Sequence, residues 1–401
     1  MAYVRLSVMF LGFIVLLGCV SQPSSSTQHW YKGNLHTHSY WSDGDEFPEV
    51  IMAWYKSKGY QFVALSDHNT LAEGDFWKTI SSDSIYQNAF KNYLDTFGRD
   101  WVNYQTDSVN QLQVKLKTFE EYRGRFEEPG TFLVIQSEEI SDHFGNKPLH
   151  MNATNVQHKI EPQGGNSVAE VLQNNIDEVV KQREETGIPM IPHINHPNFG
   201  YAVSLDDMIK LRNERFFEVY NGHPLVHNSG DSTHIDTESM WDLINIEHAK
   251  NNRPLMYGLA TDDSHHYHVH GRTWSNAGRG WIMVQADTLS PASLINAMEE
   301  GHFYASTGVT LKQYSNDEDH IAVEVNPEPE VTYTITFIGC KQGKNTVETL
   351  ATVQGNQANF EVTKDMLIVR CKIVSSKIQD NPSEDLLYQT AWTQPIQPRL
   401  D

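Results

Sequence analysis

Seven short apolar runs in this chain each stop at a histidine or an acid. Residues 32–35 lead into His36-Thr37-His38, with Ser42-Asp43-Gly44 just beyond, and 61–65 lead into Ser66-Asp67-His68-Asn69. Residues 132–135 lead into Glu138-Glu139-Ile140-Ser141, and Pro148-Leu149 into His150-Met151-Asn152. Residues 189–192 lead into His193-Ile194-Asn195-His196-Pro197, and Phe216-Phe217 into Glu218-Val219-Tyr220-Asn221. The last run, 254–260, leads into Asp262-Asp263-Ser264-His265. Helical patterns alternate with these runs. Pro48 and Glu49 open one whose stripe is Val50, Ile51, Trp54 and Tyr55 and which closes at Gly59. Asn166-Ser167 opens a second, with Val168, Val171, Leu172, Ile176, Val179 and Val180 at helical spacing and Gly187 as its stop. Ser290-Pro291 opens a third, which ends at Gly301.

Alternating strands and helices from Tyr31 to about Val309 predict a parallel α/β sheet or barrel. Such barrels gather chemistry at the C-terminal rim, where all seven segments would meet. Imidazoles and carboxylates crowded together are costly unless something coordinates them, and a divalent ion does so economically. The spacing agrees with this. In an extended segment His36 and His38 point to the same side and can chelate one ion, and Asp263 and His265 repeat the arrangement.

The ordered set His-x-His, Ser-Asp-Gly, Asp-His, Glu-Ile-Ser, His-Pro and Asp-x-His resembles the PHP (polymerase and histidinol phosphatase) superfamily over roughly residues 30–309. That resemblance implies a distorted (β/α)7 TIM-like barrel holding two or three divalent ions, and a histidine-plus-carboxylate shell suits zinc, manganese or iron. It assigns the first ion to His36, His38 and Asp263, with Glu139 bridging to a second that also takes His196 and His150. A third would take Asp43, His68 and His265, with Asp43 standing where many members have histidine. Glu138 rivals Glu139, and the following Ile140-Ser141 favours Glu139; His193 rivals His196, and the His-Pro context favours His196. Residues 301–308, followed by a β module, are similar to the secreted, carbaryl-hydrolase-like subgroup.

Other residues admit two readings. His223 could act as a general acid or as a hydrogen-bonded scaffold residue, and His266, His268 and His270 could line the pocket or sit in solvent. Arg272 and Arg279 lie in a Gly-rich stretch, where a guanidinium could clamp an anion or form an ordinary ion pair. Glu218, Asn221 and Asp67 are expected to orient ligand imidazoles. Phe199, Tyr201 and Trp274 are candidates for a substrate platform or for core packing. Residues 75–125 read as irregular inserted helices, forming either a lid or a packing layer. Residues 310–401 read as a small antiparallel β module, sandwich-like, with Val331, Tyr333, Ile335 and Phe337 on one face of its clearest strand.

The N-terminus reads as an address. Arg5 precedes an apolar run over 6–17, too short to span a bilayer, and Leu16-Leu17-Gly18-Cys19 resembles a bacterial lipobox. Residues 1–19 are then a lipoprotein signal and 20–29 a tether, which places the protein outside the cytoplasm, touching a membrane only through its lipid anchor. With 30 Lys+Arg against 51 Asp+Glu and a net charge of −21, a nucleic-acid partner is excluded. A small anionic substrate is compatible, because bound divalent ions reverse the local field. Three cysteines make no disulfide framework, and Cys340 and Cys371 read as buried free thiols. The expected function is a metal-dependent hydrolase of phosphate esters whose nucleophile is water-derived and held between ions sharing Glu139. Asp263 completes that pair, Arg279 stabilises charge and His223 serves the leaving group. A hydrolase of esters, amides or carbamates, or a non-catalytic glycan-binding surface lipoprotein, are the alternatives.

Overall fold

The computed structural model describes residues 28–398 apart from 318 and 384–385. The expected signal segment, Cys19 and most of the tether therefore lie outside the described residues, as do the last three residues of the C-terminal module. Among the described residues no helix is long and apolar enough to cross a membrane.

The chain begins with β1 (His29–Asn34), α1 (Pro48–Ser57) and β2 (Phe62–Leu65). All four residues of β2 are buried, as expected of a parallel strand covered on both faces. The inserted stretch follows as β3 (Trp77–Thr79), α2 (Ser84–Phe97), β4 (Tyr104–Thr106), β5 (Leu112–Lys115) and α3 (Phe119–Phe126). It is not purely helical: β3, β5 and β4 form their own three-stranded sheet. Its apolar side packs Tyr93, Val102, Val114 and Leu116 against Tyr40, Trp41 and Phe47, so it braces the segment that carries Asp43.

Next come β6 (Leu133–Phe144), β7 (Lys147–Thr154), α4 (Val168–Thr186), β8 (Ile191–Ile194), α5 (Leu205–Lys210), β9 (Phe216–Asn221), α6 (Thr237–Lys250) and β10 (Tyr257–Thr261). The expected caps are in place on α4, where the Ser167 side chain accepts from Glu170 N and Gly187 closes the helix in the left-handed region. Then follow β11 (Trp281–Ala286), α7 (Pro291–Glu299) and β12 (Phe303–Ser306). The C-terminal strands are β13 (Leu311–Asp317), β14 (His320–Val325), β15 (Tyr333–Lys341), β16 (Glu348–Gln354), β17 (Gln357–Glu361), β18 (Met366–Ile378) and β19 (Tyr388–Thr393).

Thirteen strands make one sheet in the order β10-β9-β8-β7-β6-β2-β1-β11-β12-β19-β18-β15-β16. β1, β2 and β6 run parallel, as do β8, β9 and β10. Strict β/α alternation fails in two places. β6 turns straight back through Gly145 into antiparallel β7, and β1 has antiparallel β11 on its other side. The fold is thus mixed α/β with a parallel-rich sheet, and among the described residues its ladders run in one open order that shows no closed TIM-like ring. β10 and β1 meet beyond their ends, at a parallel bridge between Thr37 and Ser264. There His38 N donates to Ser264 O at 2.9 Å and Asp263 N donates to His36 O at 3.0 Å.

The C-terminal strands are antiparallel, and Tyr333, Ile335 and Phe337 are buried on one face of β15 as the alternation predicts. β19 pairs with β12, with Ala305 opposite Trp392, so β19, β18, β15 and β16 prolong the main sheet; only β13, β14 and β17 form a second layer, with Phe360 stacked on Phe337. Arg370 on β18 reaches α6, its Nε 2.6 Å and its second nitrogen 2.8 Å from the Asp242 carboxylate. Cys340 and Cys371 are buried and free.

Candidate metal centre

Just past β1, His36 and His38 are both fully buried and lie on one side of an extended segment. Asp67 fixes the turn that follows, accepting from Ser39 N at 2.8 Å, Ser39 Oγ at 2.7 Å and Ser42 Oγ at 2.6 Å. A Cβ on Gly44 would lie 2.6 Å from the His38 backbone, which explains the Ser-Asp-Gly order: only glycine lets Asp43 fold back over His38. The segment after β2 bridges to β6 at His68 and Glu139, setting these two side by side. His196 and Asp263 have φ of +23° and +49°, strained values for non-glycine residues and of the kind that cluster at functional sites.

Glu139 sits at the centre. Its Oε1 lies 3.1 Å from His150 Nδ1, 3.4 Å from His36 Nε2 and 3.5 Å from His196 Nε2. Its Oε2 lies 2.8 Å from His68 Nδ1 and 3.3 Å from His38 Nε2. Asp263 Oδ1 is 3.3 Å from both His36 Nε2 and His38 Nε2, and Oδ2 is 3.9 Å from His196 Nε2. Asp43 Oδ1 faces His265 Nε2 at 3.4 Å and His68 Nε2 at 3.5 Å. The structure therefore brings all nine expected ligands together.

These atoms face one another without satisfying one another. His36 Nε2 and His38 Nε2 are buried with no hydrogen-bond partner among the described residues, a costly arrangement for polar atoms. Burial would raise the Glu139 carboxyl, but the imidazoles of His68, His36 and His150 hold it well below the usual carboxylate range. Burial opposes Asp263 in the same way, and the imidazoles beside it, His36 first, hold it well below the usual carboxylate range. Burial, with His265 and His68 beside it, pushes His38 down to about 3, so that ring is neutral. A cation among the unpartnered atoms resolves all of this, and the donor set suits a divalent ion. Groups such as His36, His38 and Glu139, or His38, Asp43, His68 and His265, have their donor atoms within 4.8 Å of one another and could hold one.

The surrounding polar groups aim the ligands. His36 Nδ1–H donates to Glu218 Oε1 at 2.7 Å, which leaves the Nε2 lone pair facing inward. Glu218 Oε2 accepts from His196 N at 2.8 Å and from Asn221 Nδ2 at 2.8 Å. Asn221 Nδ2 also donates to Asp263 Oδ2 at 3.1 Å. Asn195, absent from the residues expected at the site, donates to Glu139 Oε1 at 2.7 Å; its place one residue before His196 is the signal that marks it.

The geometry corrects several expectations. His150 and Glu139 lie within β7 and β6, not at strand ends, because the hairpin carries both strands past the centre. Arg279 is no anion clamp: it is buried, and its guanidinium donates to the carbonyls of Asn381, Gly222 and Gly271 at 2.9, 2.7 and 2.8 Å. The rivals fall away from the centre. Glu138 points to the other face of β6 and accepts from Ile160 N at 2.5 Å, and His193 lies behind Glu218, its Nε2 3.6 Å from Oε1. Tyr201 stacks on His234 at 3.7 Å and makes no platform, whereas Phe199 does border the cavity. That cavity, of about 420 Å³, opens over the ligands. Phe199 and Leu225 form an apolar side, His223 and His266 a polar one, and no Lys or Arg is among the lining residues described.

No family model matches this chain, and no curated protein matches it. Among solved structures it is similar to a two-domain protein from Bacteroides vulgatus ATCC 8482 that contains a predicted PHP-like metal-dependent phosphoesterase. The identity is 12% and the TM-score 0.39, over 90% of this chain and 94% of that one. It is also similar to an amidohydrolase from Chromobacterium violaceum with bound sulfate and no metal. The identity there is 11% and the TM-score 0.28, over 68% of this chain and 96% of that one. At such scores neither fold nor chemistry carries over from these proteins.

Proposed function

We propose that this chain is a metal-dependent hydrolase of the PHP type that cleaves phosphate esters, its centre carried by residues 30–309. One observation supports this above the rest: two buried carboxylates, Glu139 and Asp263, face His36, His38 and His196 across unpartnered atoms at the floor of an open cavity. A closed structural site would need four ligands and no cavity. His36, His38, Asp263 and Glu139 would hold one ion, Glu139, His150 and His196 a second, and Asp43, His68 and His265 a third. A divalent ion so placed, zinc, manganese or iron, makes water a nucleophile at neutral pH and withdraws charge from a substrate oxygen.

The chain's own contribution is orientation and charge. Glu218 and Asn221 fix the rings and the Asp263 carboxylate, and Asn195 fixes Glu139. Two or three divalent ions would outweigh the three carboxylates facing them, so the cavity would attract an anion although no arginine is among its described lining residues. Localisation outside the cytoplasm, with Cys19 carrying a lipid anchor, belongs to the same proposal and rests on the N-terminal sequence.

The test is turnover of p-nitrophenyl phosphate, bis-p-nitrophenyl phosphate and p-nitrophenyl acetate by metal-loaded protein, with and without chelator. Chelator-sensitive hydrolysis of a phosphate ester is expected. Hydrolysis of the acetate alone would move the reading to carbonyl chemistry, and turnover of none of the three would favour a binding protein.

A further inference from the structure

The histidines around the cavity divide by what Nδ1 does. In His36 the Nδ1–H donates to Glu218, and in His265 it donates to the Asp263 carbonyl at 3.0 Å, so in each ring Nε2 keeps a lone pair for an ion. His223 and His266 are the reverse. Leu225 N–H donates to His223 Nδ1 at 3.2 Å, and Ser275 N–H donates to His266 Nδ1 at 3.3 Å. A neutral imidazole whose Nδ1 accepts carries its hydrogen on Nε2, and so cannot ligate through that atom but can donate from it. Both rings line the cavity, no partner for either Nε2 is found among the described residues, and no Lys or Arg lines the same walls.

One residue from the far end of the chain braces both rings. Asn381, between β18 and β19, accepts from Arg279 Nε at its carbonyl (2.9 Å) and from a terminal guanidinium nitrogen at Oδ1 (3.3 Å). Arg279 in turn donates to Gly222 O at 2.7 Å, directly before His223. That turn is tight: a Cβ on Gly222 would lie 2.8 Å from Asp262 O and 2.9 Å from Arg279 Cβ. In the other direction Asn381 Nδ2 donates to Asn276 Oδ1 at 2.9 Å, and Asn276 Nδ2 donates to His266 O at 2.7 Å.

We propose that His223 and His266 are neutral hydrogen-bond donors to the anionic oxygens of the substrate, and that Asn381 is the positioning residue that sets both. The substrate class is an oxyanion, such as a phosphate ester, so the proposal rests on the hydrolase reading. The C-terminal strands thereby take part in the site, because they supply the brace for the walls that stand where an arginine clamp was expected.

The experiment uses metal-loaded full-length protein and two readouts. His223→Ala and His266→Ala should each weaken inorganic phosphate binding about tenfold, the effect of one lost hydrogen bond to a charged group, and lower kcat/KM by about 10²-fold with metal content unchanged. Asn381→Ala should lower kcat/KM about tenfold with the melting temperature kept, and should add nothing in the His223→Ala/His266→Ala background. Asn381→Asp, which keeps an acceptor for Arg279 but loses the donor to Asn276, should lose its effect once His266 is alanine. Loss of ions in either histidine variant, unchanged phosphate affinity, or full additivity of Asn381→Ala would each overturn the proposal. Absence of turnover in the wild type would sink the hydrolase reading alone, because phosphate affinity and nitrogen-correlated NMR of the two rings still decide it. Nε2–H is expected in both rings, and Nδ1–H in either contradicts the proposal.

Discussion

Replacing Glu218 by glutamine separates aiming the ligands from being one. The Glu218 carboxylate is fully buried and accepts four hydrogen bonds: from His36 Nδ1 and Thr261 Oγ1 at 2.7 Å, and from His196 N and Asn221 Nδ2 at 2.8 Å. Glutamine keeps the shape but turns one oxygen into an NH2 group, so two of those donors then face a donor. A backbone N–H cannot turn away, whereas an imidazole can change tautomer. The amide nitrogen therefore settles opposite His36, which moves its hydrogen to Nε2 and offers the ion a proton in place of a lone pair. Loss of such an outer partner typically costs 10- to 100-fold in metal affinity, or about 1.4 to 2.8 kcal/mol. Competition titration against a chromophoric chelator measures this, alongside kcat at saturating metal. The expected result is weaker binding with activity largely recovered when metal is in excess. Unchanged affinity would refute the claim that Glu218 holds His36 in its ligating tautomer.

Three further outcomes are expected. Asp43→Ala should remove one ion per chain by elemental analysis while the protein stays folded by circular dichroism, since this side chain is 59% exposed; an unchanged ion count would remove Asp43 from the centre. Arg370→Ala should cost about 3–5 kcal/mol in denaturant unfolding, because it strands the Asp242 carboxylate behind β18, and a single cooperative transition should persist if the C-terminal strands are one unit with the main sheet. In the metal-free protein burial lowers His68, but Glu139 and then Asp43 hold it at about 9, above its ordinary value of 6.5. The charged ring then stabilises the metal-free fold fully below pH 6.5, and that contribution fades as pH rises towards about 9. An ion needs the ring neutral, so metal affinity should climb over the same window, with proton release at pH 7.5 seen by calorimetry in buffers of different ionisation enthalpy; an affinity flat across that window would contradict it.

The ligands are legible in the sequence because their chemistry is local. His36 and His38, or Asp263 and His265, declare themselves by spacing alone, and the caps on α4 and α7 follow from Ser167 and Ser290. What stays hidden depends on pairings far apart in the chain. β6 reads as an apolar run that stops at Glu138, yet it continues to Phe144 because β7 returns alongside it, and Gly145-Asn146 is the turn signal between them. Nothing near Gly278-Arg279-Gly280 says that the guanidinium will meet carbonyls at Gly222 and Asn381. The same holds for β12 and β19, whose ladder joins what reads as two domains.

Anomalous diffraction from crystals grown with manganese or zinc, recorded on both sides of the metal edge, bears most directly on the whole account. Peaks are expected between Glu139 and Asp263, with His36, His38 and His196 around them, and a further one beside Asp43. Density elsewhere, or an empty centre in crystals soaked at saturating metal, would contradict it.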